Sequence, residues 1–214
     1  MGKKSHQLLP LLDYLRIHRV IRSVLDSCGA NTAHACWYFS LAGAAILRQH
    51  YKKDAHPLAG AMCLMTATDD SKVMCFAKIE DGEARSSADA FHALVVCDDY
   101  LIDFMSPIFP ETAQSSQHVF IPAAKSFQKP VSSMSPSPSD LTEAGDFFFD
   151  PNQELTDSLR RMVMGNRFLT DVIQGCCDWY KRPPKLIPPG IQVSDEKGGV
   201  SMVRLKDALV TGAW

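Results

Sequence analysis

The sequence contains no apolar run approaching the ~20 residues that a membrane-spanning helix needs, so no membrane partner is expected. It also lacks an excess of positive charge: 22 Lys+Arg stand against 24 Asp+Glu, a formal net charge of −2 over 214 residues. That balance gives no broad attraction to phosphate and argues against nucleic acid as a partner. Paired CxxC spacings, HExxH, GxxxxGK[ST] and a GxGxxG turn are all missing, which removes the usual sequence marks of zinc, phosphate and dinucleotide chemistry. Leu8-Leu9-Pro10-Leu11-Leu12-Asp13 is too short for the core of a signal peptide. His6 stands where an N-myristoylation signal carries Ser or Thr. The expectation is a cytoplasmic protein with no cofactor, whose substrate is found in a pocket.

What is present suits a globular domain: 46% of residues are hydrophobic and 21% charged, at a length that supports one full core. Seven cysteines, scattered without pairing motifs, are expected to be free thiols, most of them small core residues.

Leu8 to Ser27 carries apolar residues at 11, 12, 15, 17, 20, 21, 24 and 25, the stripe of an amphipathic helix, and Gly29 is placed to end it in the left-handed region. A second helix is expected to open at Asn31 or Thr32 and to run toward Tyr51. It is apolar nearly all round, so it belongs in the middle of a domain. Gly60–Thr68 and Lys72–Ile79 read as a hairpin about Asp69-Asp70-Ser71, Phe91–Cys97 and Tyr100–Met105 as a second hairpin, and His118–Ile121 as a further strand. Residues 129–146 are too rich in Ser and Pro for regular structure. Asp150-Pro151-Asn152-Gln153 reads as the capped start of a helix through Met164, and Arg167–Trp179 as another. An extended tail follows, then a last strand or helix over Val200–Val210. Helices followed by antiparallel strands make an α+β protein, with an α+β core over 1–128, a loop over 129–146 and helical and extended material over 147–214.

Three polar residues stand out of pattern. Cys36 falls near the start of the buried helix, where free N–H groups and the helix dipole favour a thiolate. His92 interrupts the apolar strand Phe91–Cys97. Asp103 sits inside Tyr100–Met105, where an unpartnered carboxylate would cost several kcal/mol. If Asp98-Asp99 forms a two-residue loop, or Cys97–Tyr100 a four-residue one, residues whose numbers sum to 197 face each other. His92 and Asp103 are then diagonal neighbours on one face, roughly 7–8 Å apart at Cα; a three-residue loop would put them on opposite faces. Thiol, imidazole and carboxylate in this arrangement are a nucleophile, its base and the group that orients the base. Each has a bland reading as well: a packing cysteine, a satisfied core histidine, a structural acid.

The order Cys36, His92, Asp103 resembles the papain-like cysteine superfamily in its broad sense, which includes transglutaminase-like proteins and arylamine N-acetyltransferases, and uncharacterised bacterial families grouped with them. Ala35-Cys36-Trp37 is similar to the Ala-Cys-Trp ending of the papain cysteine motif, and a strand His92 followed by a strand Asp103 resembles the transglutaminase-like spacing. The likeness covers about residues 28–105. Ala30 stands where papain has a helper Gln six residues before its Cys, and the Cys-Gly-Ser lead-in is absent. The resemblance implies a papain- or transglutaminase-like fold, with N-terminal helices on an antiparallel sheet and further C-terminal helices. It also implies thiol-dependent hydrolysis or transfer of a peptide or a small amide or acyl substrate.

Asn31 is the nearest amide able to help a backbone N–H hold an oxyanion, or else a helix N-cap. His34 lines the same mouth or faces solvent, and Trp37 walls a groove or fills the core. A metal site built from His34, Cys36, His92 and Asp103 lacks any zinc spacing. The rival reading of the whole chain is a catalytically inert interaction or regulatory module on the same fold, with the Ser/Pro segment and Phe147-Phe148-Phe149 as docking features. An aromatic run before a capped helix is otherwise a hydrophobic staple.

Overall fold

Helix α1 (Leu11–Ser27) forms on the expected stripe, burying Ile17, Val20, Ile21 and Val24. It begins after Pro10 and not at Leu8, because proline fits the N-cap and not the turn behind it. Gly29 takes φ +71° and Ala30 N–H returns to Leu25 O, closing the helix in the expected way. The chain is a computed structural model, described over residues 7–68, 72–194 and 198–214.

The second helix is not continuous from Asn31. Thr32–His34 make a single 3-10 turn, Ala35 lies between, and α2 (Cys36–Ile46) starts at the cysteine itself. The helix runs on as a π turn over Leu47–Tyr51 and stops at Lys52, whose φ is +58°. As its all-round apolar character predicts, α2 is buried.

The sheet is antiparallel and curled. Strand β1 (Ala55–Met65) pairs with β2 (Val73–Phe76), β5 (His92–Cys97) and β8 (Phe147–Pro151). Gly60 faces both His92 and Pro151, and Met62 faces both Phe76 and Phe149. A strand has only two edges, so β5 and β2 follow one another along one edge of β1 and β8 lies along the other. Gly60 is needed there, since a Cβ would stand 2.1 Å from Asp150 O. Beyond β5 come β6 (Tyr100–Asp103) and β7 (Phe127–Pro130). The α2 helix packs against β5 and β1, and its Ser40 Oγ–H donates to Ala93 O at 2.7 Å. At Gly43 a Cβ would come within 2.3 Å of the Phe104 ring, so the glycine lets α2 seat directly above the segment after Asp103.

Several sequence expectations are corrected. The segment after Phe76 does not extend the hairpin to Ile79: β3 (Lys78–Glu80) instead pairs with β4 (Glu83–Arg85). Asp81 and Gly82 both have positive φ, the backbone of the tightest hairpin turn. The expected turn Asp69–Ser71 lies outside the described residues. His118–Ile121 is a loop after helix α3 (Phe109–Ser115), with Val119 fully exposed. Phe147-Phe148-Phe149 is not a staple: it forms β8, satisfying the free edge of β1. The N-cap of α4 (Gln153–Met164) is Asn152, not Asp150, and its side chain accepts Leu155 N–H at 2.9 Å; Asp150 and Pro151 are still in the strand. Helix α5 spans Arg167–Trp179 as expected, and the tail carries the hairpin β9 (Gly190–Ser194) and β10 (Val200–Arg204) before Ala213 bridges to Ser126. Not all cysteines are free. Cys63 and Cys75 face each other across β1 and β2 with Cα atoms 4.2 Å apart and form a disulfide, because cross-strand register brings together cysteines that no local motif pairs.

Candidate active site

Strand register builds the site. Val95, Val96 and Cys97 pair with Ile102, Leu101 and Tyr100, so every pair sums to 197, and Asp98-Asp99 is the two-residue loop, with Asp98 at φ +53°. His92 at the start of β5 and Asp103 at the end of β6 therefore meet diagonally, and His92 Nε2 lies 2.8 Å from Asp103 Oδ2. Both side chains are buried. A carboxylate only accepts, so Nε2 carries the hydrogen and donates it.

Asp103 is held on every side. Its Oδ1 accepts Met105 N–H at 2.7 Å. Its backbone carbonyl accepts the hydroxyl of Tyr14, a fully buried residue of α1 that also lies 2.9 Å from Ser106 Oγ. The carboxylate thus has two donors and a fixed backbone, which offsets the cost of taking it out of water.

The remaining ring nitrogen of His92, Nδ1, is buried and has no hydrogen-bond partner among the described residues. Phe76 lies against the ring at 4.3 Å between centroids and Phe109 stands edge-on at 5.7 Å. Burial opposes a positive charge on this ring, but the Asp103 carboxylate outweighs it by charge and by hydrogen bond. The Cys36 sulfur adds to the same side, and the ring is raised to about 10.

Cys36 is the first residue of α2 and is 7% exposed. The first four N–H groups of a helix have no partner in it. Here Tyr38 and Phe39 turn back to Ala35 O, while Cys36 and Trp37 N–H find no carbonyl among the described residues. The turn ahead of the cysteine is pinned by Thr112 Oγ1–H to Ala33 O at 3.0 Å and Thr32 Oγ1–H to Asp26 Oδ1 at 2.9 Å. Cys36 and His92 line one cleft of about 210 Å³, walled by Phe76, Phe91 and Met105, with His34 and the Ala88-Asp89 turn at the mouth.

Of the residues singled out from sequence, the fold brings Cys36, His92 and Asp103 together and sets His34 at the mouth, where it is exposed and its Nε2 lies 2.9 Å from Ser115 Oγ. Asn31 stays apart: it is exposed, makes no cap with its side chain and lies off the cleft, because the break at Ala35 puts a separate turn between it and the helix. Trp37 is in the core beside Cys36, 3% exposed. Phe76, Ala88-Asp89 and Phe91 were not foreseen, since their place depends on β2 and on a turn with no chemical signature. Among the described residues no cluster of three or more His, Cys, Asp or Glu is arranged to hold a metal ion. None of the helices of the described residues is long and apolar enough to cross a membrane.

These features define an α+β protein in which a cysteine at a helix start, a strand histidine and a strand aspartate converge on a small cleft. The chain belongs to the family described as "Protein of unknown function (DUF2026)", whose profile matches residues 10–214. It is similar to a solved structure titled "The crystal structure of genomics APC5867", with 34% sequence identity and a TM-score of 0.85 over 100% of both chains. No curated protein matches it.

Proposed function

We propose that this protein is a thiol-dependent acyl-transfer enzyme, an amide or peptide hydrolase or a transglutaminase-like transferase, built on a papain-like arrangement. The observation that carries the reading is the His92 ring: Asp103 occupies Nε2, which leaves the buried Nδ1 as the ring nitrogen able to exchange a proton with Cys36 in the cleft they share.

Nδ1 holds the proton given up by Cys36 Sγ before substrate arrives, and Asp103 supports that imidazolium. The sulfur attacks the acyl carbon, and the electron pair of the C=O bond moves to oxygen. The unclaimed N–H groups of Cys36 and Trp37 are the available donors for that oxyanion; one such donor is worth about 3–4 kcal/mol of barrier. The tetrahedral species collapses, the imidazolium gives its proton to the leaving amine, and a thioester remains on Cys36. His92 then removes a proton from water or an acceptor amine as it attacks the thioester. The C–S bond breaks, and the thiol regains a proton. The Phe76 and Phe109 rings keep water from His92 and strengthen its charge interaction with Asp103.

Trapping tests the reading. Mixing the protein with an activated acetyl ester and quenching in acid should leave one acetyl group, located by peptide mapping on Cys36 and absent in Cys36→Ala. Acetylation spread over exposed lysines with none on Cys36 would refute it and leave the inert module as the better account.

A further inference from the structure

The cleft has one charged side chain in its walls that the acyl-transfer chemistry does not use. Asp89 lies at the mouth, exposed, with no hydrogen bond or ion pair among the described residues. It is held there by construction. Ser87 and Ala90 exchange both backbone hydrogen bonds, at 2.9 and 3.2 Å, which makes Ala88-Asp89 the tip of a tight turn. Ser86 Oγ accepts from Asn152 Nδ2 at 3.1 Å and anchors that turn to the start of α4. The other groups facing the cleft are His34 across the mouth, engaged with Ser115, and the Cys36–His92 pair at the floor. Once the thiol proton has moved to the ring, that pair is neutral as a unit. The other side chains of the wall, among them Phe76, Phe91 and Met105, carry no charge.

We propose that Asp89 determines specificity and that the cleft takes short acyl donors carrying a cation a few bonds from the reacting carbonyl. The simplest case is an aminoacyl amide or ester with a free ammonium. A space of about 210 Å³ holds one modest side chain or acyl group. With the floor pair neutral as a unit, the carboxylate at the rim is the feature that discriminates by charge.

The inference rests on a reactive Cys36, and the test separates the two. Three thiol reagents are compared at Cys36 by peptide mapping: neutral iodoacetamide, a trimethylammonioethyl methanethiosulfonate and a sulfonatoethyl methanethiosulfonate. In the last two the sulfur of Cys36 attacks the reagent's sulfenyl sulfur, a mixed disulfide forms, and methanesulfinate leaves with the bonding pair. The expected result is a preference for the cationic reagent that falls about fivefold in Asp89→Asn at low salt, and less at high salt. The iodoacetamide rate should not change. An unaltered cation-to-anion ratio in Asp89→Asn would overturn the proposal, as would an equal loss with all three reagents, which would make Asp89 a part of the turn only. If iodoacetamide fails to label Cys36 in the unmodified protein, the acyl-transfer reading falls and this inference falls with it.

Discussion

Asp103 accepts the Nε2 hydrogen of His92 across the β5–β6 diagonal at 2.8 Å, which leaves Nδ1 as the ring nitrogen for the proposed exchange with Cys36. In the proposed mechanism it fixes the ring, which if free to rotate would offer Cys36 either nitrogen or neither.

Replacing Asp103 by Asn therefore tests orientation apart from packing. The amide is the same size, and its oxygen can accept from either Met105 N–H or His92, but not from both as the carboxylate does. Turnover of an activated ester should drop by roughly 10²-fold or more, while the circular dichroism spectrum is retained. Unchanged turnover would remove Asp103 from the mechanism.

The two buried histidines tilt stability in opposite directions with pH. An unfolded histidine titrates near 6.5. Burial opposes the His92 charge, but Asp103 and Cys36 raise the ring to about 10. Its contribution to stability is therefore complete below about pH 6.5 and is lost as pH rises toward about 10. His18 is lowered to about 4, chiefly by burial, with Nδ1–H donating to Phe104 O at 2.7 Å. Its contribution is present above about pH 6.5 and is lost as pH falls toward about 4. Urea midpoints across pH should show both slopes, with His92→Gln flattening the alkaline side and His18→Gln the acid side. If either slope survives its substitution, that assignment is wrong.

The disulfide gives a simple count. With the Cys63–Cys75 bridge intact, the unfolded chain should titrate five thiols without reductant, matching the free cysteines 28, 36, 97, 176 and 177, and all seven after reduction. Seven from the start would show the bridge does not form in the purified protein.

Much of the site was legible because its logic is local. Two aspartates between two apolar runs set the loop, the loop set the register, and period two set the face shared by His92 and Asp103. Periodicity likewise gave α1 and α5. What stayed hidden depends on distant pairing. Phe147-Phe148-Phe149 became a strand because β1 had an open edge, which no property of three phenylalanines announces. Cys63 and Cys75 joined because β2 lies against β1. Asn31 was misjudged because the break at Ala35 follows from tertiary anchoring of the 3-10 turn by Thr112 and Asp26. The Asp81-Gly82 turn was in plain sight: Asp-Gly between short strands is a strong hairpin signal, and it was masked by the apolar run that precedes it.

The central claim is that His92 activates Cys36, and the rate of iodoacetamide labelling at Cys36 as a function of pH tests it most directly. The unmodified protein should react rapidly at neutral pH. His92→Ala should lag there and recover only toward pH ~8.5, where an unassisted cysteine ionises. Identical profiles for the two proteins, or a Cys36 no faster than the other free thiols in either, would contradict it.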